Sequence, residues 1–431
     1  MKKLISNETI KNIVWMVLDK VVISLLNFFI SIIVINHYAI DEYGTYQYVF
    51  SVVTTLEIFT AFIDGRVVKK MYTEYDNHLI VYNAIICRLF CSLLIFVISL
   101  LCIFVLNKGL LFNTLFIVFL LNLIILQVKN GLINKFEFEL KSKIISIINA
   151  ITLIIGDALQ LFVILNNLDI IFIAIILLIV TFVQALIIYN AYSILFKSNT
   201  KLHFDYILIK RIVRESLPLA IAAICAILYA HCDILMIGNM LTMREVAIYS
   251  FAVKLLGFLQ FPLNAIKESI YPTLVKEYNS SKDKFYSFYQ YITTLTTWFI
   301  IIVLIGSYVF LPFIFRLIKA EYMNSYNIYL VLSISAIFLY NAAFRSSYLT
   351  IINKGKVLMI SQLISVFVNI VLNIYLITKL NMIGAALATV ITQGLSLLLL
   401  NIFFGEEGYR LFIIQLKSFD PTILFLKESN Q

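Results

Sequence analysis

Charge is scarce in this chain: Asp, Glu, Lys and Arg together make up 13% of 431 residues, against 62% hydrophobic. Soluble domains carry about 25% charged residues, so a chain this poor in charge cannot keep a water-facing surface along its whole length. Glycine (13) and proline (5) are also few, too few for a turn-rich barrel. All five prolines, Pro218, Pro262, Pro272, Pro312 and Pro421, fall in the second half. Cys87, Cys91, Cys102, Cys225 and Cys232 have no metal-ligand spacing, and Cys87 and Cys91 lie one helical turn apart, a poor disulfide geometry. They read as small apolar residues. The sequence has no Gly-rich phosphate loop, no His/Cys cluster, and no Ser, His and Asp set with a platform to work on. His231 and Asp233, two apart, point to different sides of a helix. No enzyme chemistry is expected, and the short outer connections, the longest near 311–325, leave no room for the large loop of a glycan polymerase or glycosyltransferase.

What the chain does have is a series of long apolar runs, with a mean hydropathy of +0.97. Spans are expected near 13–36, 45–64, 80–106, 109–128, 144–166, 169–196, 215–238, 246–266, 289–311, 326–352, 357–379 and 383–404. At roughly 20 residues per crossing, twelve helices take about 240 residues and leave short connections. The expected fold class is all-α integral membrane, with about 12 transmembrane helices in two six-helix sets, residues 1–200 and 201–431. The opening MKKLISNETIKN leads into a run with no small-residue cleavage site, so it reads as a retained first helix. An amphipathic segment from His203 to Arg214 and a polar stretch from Lys276 to Lys284 read as surface-lying connectors. Pro262, within or at the end of the eighth span, removes a backbone hydrogen bond and is expected to kink it for packing.

Basic residues set the orientation. With a cytoplasmic N-terminus, 24 of the 33 Lys and Arg fall in inner segments, 5 (Lys108, Arg244, Arg316, Lys319, Lys379) in outer ones, and 4 within spans. That bias places both termini inside. The net charge of +9 then follows from topology and anionic headgroups, without nucleic acid as a partner.

Two stretches 203 residues apart repeat one another. In IVINHYAIDEYGTYQYVFSVV, Asn36, Glu42 and Tyr46 stand where Asn239, Glu245 and Tyr249 stand in the stretch from His231 to Leu256. Each copy reads as a helix end, a turn and the next helix start. The halves are therefore pseudo-symmetric, and Asp233 and Lys254 flank the turn of the second copy in apolar surroundings. Internal symmetry with charge inside the membrane points to a transporter.

Most spans carry one polar side. Lys20, Ser24, Asn27 and Ser31 share a face, as do Arg88, Ser92 and Ser99; Ser146, Asn149, Gly156 and Gln160; Ser250, Lys254, Gly257, Asn264 and Glu268; Asn341 and Arg345; and Gln362, Ser365, Asn369 and Asn373. Interhelical packing accounts for most of the small and polar members. Lys20, Arg88, Lys254 and Arg345, each about 10 Å inside a span, are candidates for a cationic cavity that would take an anionic headgroup; a structural role is the alternative for each. Asp19, Glu57, Asp157 and Asp233 are candidates either to pair with these cations or to bind a coupling cation or proton.

The chain resembles the polysaccharide flippases of O-antigen and capsule pathways, within the superfamily that also holds multidrug and toxin exporters and lipid II flippases. The resemblance runs nearly end to end. It is carried by YGTYQYVFS from Tyr43 to Ser51, the Pro218 helix ending DILMIGNM followed by Val246 to Ser250, Ala320-Glu321-Tyr322, and NIVLNIYLITKLNMIGAALAT from Asn369 to Thr389. Ala247 departs from the family's usual glycine. The resemblance implies two six-helix bundles forming a V-shaped cleft that alternates between inward-open and outward-open states in a bacterial inner membrane. It implies a polyprenyl-pyrophosphate-linked oligosaccharide as substrate, no cofactor beyond a coupling Na+ or H+, and membrane lipid, a polysaccharide polymerase and a chain-length regulator as partner candidates. A drug/cation antiporter of the same fold is the alternative, and a non-transporting scaffold a more distant one; a cationic lining argues against the first and intramembrane charge against the second.

Overall fold

The computed structural model describes residues 26, 28–60, 62–75, 77–106, 108–196 and 204–424. The candidates Asp19 and Lys20 lie outside the described residues, as does most of the first expected span. The described residues are helical throughout, without a strand. Contacts divide the chain into two compact units, Met1–Ile227 and Leu228–Gln431.

The first unit contains α1 (Phe28–His37), then α2 (Ile40–Leu56), α3 (Gly65–Met71), α4 (Asn77–Leu106), α5 (Leu110–Phe138), α6 (Ser142–Leu165) and α7 (Ile170–Leu195). α8 (Tyr206–Met240) crosses from the first unit into the second. The second unit continues with α9 (Met243–Ser280), α10 (Lys282–Phe315), α11 (Asn324–Asn341), α12 (Arg345–Ile351), α13 (Gly355–Gln393) and α14 (Gly405–Lys417). The helices follow from runs of Leu, Ile and Phe whose backbone groups have no other partner in lipid. Leu101, Phe162, Ile302 and Phe367 are more than half exposed, as lipid-facing side chains must be.

Nine stretches among the described residues are long and apolar enough to cross a membrane. The difference from twelve has three causes. Only the end of the first expected span is described. α9, 38 residues long, holds the eighth expected span and is not among the nine, which are drawn from the described residues. Finally, Gly355–Phe403 is a single 49-residue stretch that folds back on itself. At Asn381 the backbone has φ 50° and ψ −135°, and a Cβ on Gly384 would clash with the Leu376 carbonyl oxygen. Residues eight apart on a straight helix are about 12 Å apart along the axis. α13 is therefore two arms meeting at Asn381, where the sequence places the boundary between its last two expected spans. Asn167 and Asn353 also take positive φ between helices, which Asn tolerates better than most residues.

The expected connectors are helical. His203 to Arg214 runs mostly into α8, whose Leu208 and Ile212 are buried in the first unit's core beside Val68, Met71 and Phe136. Arg211 bonds Glu74 (2.6 Å), Glu215 (2.8 Å) and Tyr75, while Lys70 reaches Glu215 at 3.1 Å. These polar groups hold the helix end that precedes the apolar stretch Leu219–Met240. Lys276 to Lys284 is likewise the end of α9 and the start of α10, separated by an extended Ser281. The helices overrun the apolar spans, because neither segment contains a proline or glycine.

The repeat appears as a shared cap. Glu42 accepts the Ala39 amide at 3.3 Å and Glu245 the Thr242 amide at 3.1 Å, each three residues into its helix. A carboxylate there also meets the positive end of the helix dipole.

Candidate functional site

Asp233 lies in the last turns of α8, buried at 9% exposure. Three segments bring polar groups to it. Tyr249 of α9 donates its hydroxyl to Oδ2 at 2.6 Å, Thr389 of the second arm of α13 donates to the same oxygen at 2.5 Å, and Asn373 of the first arm donates Nδ2 to Oδ1 at 2.7 Å. The same Nδ2 lies 3.0 Å from Asn369 Oδ1. Among the described residues, the Asn373 Oδ1 and Asn369 Nδ2 atoms are buried without a hydrogen-bond partner. All three donors to the carboxylate are neutral, and no ion pair involves Asp233 among the described residues. A buried carboxylate needs a counter-charge or a proton. Carboxylate, amide and hydroxyl oxygens are hard ligands, a set that fits Na+; a proton on Asp233 is the other solution.

The reversal at Asn381 builds this cage, since it lays Thr389 beside the arm carrying Asn369 and Asn373. The repeat does not reproduce it. Ile30 and Ser51 stand 203 residues before Asp233 and Lys254, and Tyr46, the counterpart of Tyr249, packs on Phe119 at 5.2 Å. The turn is duplicated while its chemistry is confined to the second copy.

Arg345 opens a second polar centre within the same unit. The expected tenth span is broken between Asn341 and Arg345, so these two do not continue one helical stripe. Asn341, on α11, donates to the Gln415 carbonyl (3.0 Å) and to Ser418 Oγ (2.7 Å). Arg345, the first residue of α12, donates Nε to Asn401 Oδ1 (2.8 Å) and Nη1 to Ser361 Oγ (3.3 Å). Asn401 is in turn bonded to Gln415 Oε1 at 2.7 Å. The last expected span supplies Asn401 from a stretch that loosens into π turns at Gly394–Leu398 and tightens into 3-10 turns at Leu399–Phe403. Arg345 is 4% exposed, its Nη2 has no partner, and no carboxylate pairs with it among the described residues. It lines a cavity of about 160 Å³.

Arg88 of α4 is held otherwise. It donates Nη2 to the Ile63 carbonyl (2.5 Å), in the break between α2 and α3, and Nη1 to Gln127 Oε1 (3.0 Å) of α5. Gln127 passes its own amide hydrogen to Glu57 at 3.1 Å. Glu57, a candidate partner for the intramembrane cations, thus reaches Arg88 through Gln127. Asp157, on α6, is 8% exposed with neither carboxylate oxygen partnered among the described residues. Nearby in sequence, Thr152 accepts from Gln184 (2.7 Å), which accepts from Lys129 (2.8 Å). Lys254 is half-buried on α9, one turn beyond Ser250.

Sequence reasoning missed Gln127, Lys129, Lys267, Asn401 and α14 with Gln415. The α14 signal was available in Leu411, Ile414 and Ser418 at helical spacing, all of them buried. Lys129 and Lys267 fall one residue beyond the expected spans 109–128 and 246–266, and stand within α5 and α9. Among the described residues, no group of three or more His, Cys, Asp or Glu side chains could hold a metal ion.

A family model described as polysaccharide biosynthesis protein matches residues 9–278, more than half of the chain. No curated protein matches by sequence. Among solved structures, a lipid II flippase in an inward closed conformation is similar with a TM-score of 0.72 at 16% identity, covering 98% of this chain and 93% of that one. An inward-facing multidrug resistance transporter of the MATE family gives a TM-score of 0.64 at 13% identity, covering 100% and 98%. A transporter of the wider MOP superfamily from Pyrococcus furiosus gives 0.61 at 14% identity, covering 94% and 96%.

Proposed function

This chain belongs to the polysaccharide biosynthesis protein family and is a multi-pass membrane protein, and from that premise we propose that it is a transporter, a cation-coupled flippase for lipid-linked oligosaccharides. Its cargo is a polyprenyl-pyrophosphate-linked repeat unit, moved by alternating access from the cytoplasmic to the outer leaflet of a bacterial inner membrane. Both termini are cytoplasmic, in keeping with the 24-to-5 division of basic residues. The glycan feeds surface polysaccharide, O-antigen or capsule, through a polymerase and chain-length regulator. Lys20, Arg88, Lys254 and Arg345 are the candidates for contact with the anionic headgroup, Lys254 foremost. A lysine inside a span costs roughly 2.5–3.5 kcal/mol on insertion scales, which a diphosphate in a hydrated path offsets.

The observation that carries the reading is Asp233, a buried carboxylate surrounded by neutral donors. Binding a cation or proton there neutralises a charge shared by α8, α9 and both arms of α13, so occupancy changes how these helices hold together. Asp157, buried without a partner among the described residues, is a second candidate for the same role. The alternative, a multidrug/toxin antiporter, uses the same coupling and differs in cargo. Deletion of the gene separates them. Accumulation of lipid-linked repeat units on the cytoplasmic side, relieved by the wild-type gene and not by Asp233→Asn, is expected; drug sensitivity with normal surface glycan would overturn the flippase reading.

A further inference from the structure

The cavity beside Arg345 lies within the second unit and is lined by side chains of one electrostatic sign. Lys267 of α9 and Arg345 of α12 supply two cations, and Ser346, Gln362, Ser365 and Ser396 supply neutral polar groups; among the described residues no carboxylate is in the lining. The hydroxyl of Ser365 is committed to the Ser361 carbonyl at 2.6 Å, whereas Ser346, Ser396 and Gln362 have uncommitted polar groups. Arg345 is 4% exposed, and its Nη2 has no hydrogen-bond partner among the described residues. A buried guanidinium without a counter-charge is costly in its own right. An anion bound in the cavity supplies that counter-charge.

Size and surroundings narrow the anion. At about 160 Å³ the cavity resembles one that holds a benzene-sized guest. It is too small for an oligosaccharide, since sites for drug-sized ligands run from about 300 to 1,000 Å³. A single phosphate group with part of its ester fits, and phosphate is the anion whose oxygens a guanidinium meets two at a time. Gln362 is exposed where the cavity reaches the surface of α13's first arm, and Ile360, Leu363 and Phe367 of that arm are exposed apolar side chains, Phe367 at 70%. A chain attached to the phosphate has an apolar face to lie on.

We propose that the Arg345–Lys267 cavity binds the phosphate group of a membrane lipid. Two sources share that chemistry: a glycerophospholipid headgroup and a polyprenyl phosphate. Binding at this cavity is separate from cation coupling at Asp233, so either can fail without the other.

The test is thermal stabilisation of the purified full-length protein in neutral detergent, titrated with phosphatidic acid, polyprenyl phosphate, inorganic phosphate, or diacylglycerol of matched chains. At least one phosphate-bearing lipid is expected to raise the melting temperature saturably, with apparent affinity falling about tenfold or more in Lys267→Gln and in Arg345→Gln. Lys267→Gln leaves the Arg345–Asn401 bond in place, so it reports on the cavity even where Arg345→Gln fails to fold. A response to phosphatidic acid alone identifies a bilayer-lipid site, and one to polyprenyl phosphate alone identifies a site for the carrier lipid. An equal response to inorganic phosphate or to diacylglycerol, or full affinity in Lys267→Gln, overturns the proposal.

Discussion

Arg88 and Arg345 are both buried arginines inside apolar helical units, and each donates to a side-chain amide oxygen, yet their surroundings differ in one respect. Arg88 caps the loose carbonyl of Ile63 and reaches Glu57 through Gln127. Arg345 meets Asn401 and Ser361 and borders a cavity; among the described residues its Nη2 has no partner, as Arg88 Nε has none, and no carboxylate lies within its hydrogen-bond network. The first arginine closes a break in the chain and is compensated from within the protein. The second has no carboxylate partner among the described residues. A buried charge is thus read from its counter-charges more than from its depth, because desolvation is common to both and only the compensation differs.

The sharpest way to break this comparison is to remove each guanidinium. Arg88→Ala leaves the Ile63 carbonyl and Gln127 Oε1 without their donor and the part-buried Glu57 without the cation it reaches through Gln127, and loss of a buried charge partner costs about 3–5 kcal/mol. Little Arg88→Ala protein should accumulate in the membrane, whereas Arg345→Gln should accumulate nearly as wild type and lose the lipid response. Equal loss of both proteins, measured by immunoblot and melting temperature, would erase the distinction.

Lys254 extends the comparison to a half-buried cation on a polar stripe. A point charge suits a phosphate without fixed geometry, so Lys254→Arg should retain much of the glycan export. Lys254→Gln should lose about tenfold or more at normal abundance, the scale of one charge-assisted hydrogen bond. Full surface glycan with Gln at this position would make Lys254 a structural residue.

Position along the membrane normal sharpens it further. In a cysteine-free background, single cysteines at Lys108 and Lys319 should react with an impermeant thiol reagent from outside, and one at Lys282 should not. Lys135 is unsuitable as a reporter. It is 3% exposed, bonded to Glu139 and set over the rings of Tyr72, Phe138 and Phe196. Reversed labelling would invert the orientation.

The smallest effect is expected where charges are exposed. Glu215, outside the apolar stretch of α8, is held below its ordinary value of 4.5 by hydrogen bonds from Arg211 and Lys70. A lowered carboxylate contributes stability that is fully present above its unfolded-state value and is lost as pH falls through the lower folded value. Glu215→Gln should therefore shift the melting temperature slightly at pH 7, and the difference should shrink as pH falls below about 4.5. A difference that grows on acidification would contradict the assigned pairing.

Much of the fold is legible in the sequence because lipid imposes a strong rule: apolar runs of spanning length become helices. The reversal at Asn381 is legible too, since Lys379-Leu380-Asn381 interrupts an apolar run and Gly384 allows the arms to approach. The break between Asn341 and Arg345 is not. Ala342, Ala343 and Phe344 are ordinary helix residues, and the break depends on contacts of Asn341 with α14 and of Arg345 with Asn401. Asp233, Asn369 and Asn373 stand out as polar residues at helical spacing, but periodicity places residues on a face without saying which helix that face meets. Tyr249 and Thr389 complete the cage only once α9 and the second arm of α13 are in place. Lys267 is misread for a related reason: at the end of an apolar run, a lysine that lines a cavity looks like one that faces the cytoplasm.

Coupling at Asp233 is tested most directly by reconstituting purified protein in proteoliposomes and measuring movement of a polyprenyl-pyrophosphate-linked oligosaccharide between leaflets under imposed Na+ or H+ gradients. Wild-type protein should translocate faster under one of the two gradients, and Asp233→Asn, at equal incorporation, should lose that dependence. Gradient-driven translocation unchanged in Asp233→Asn would contradict the account.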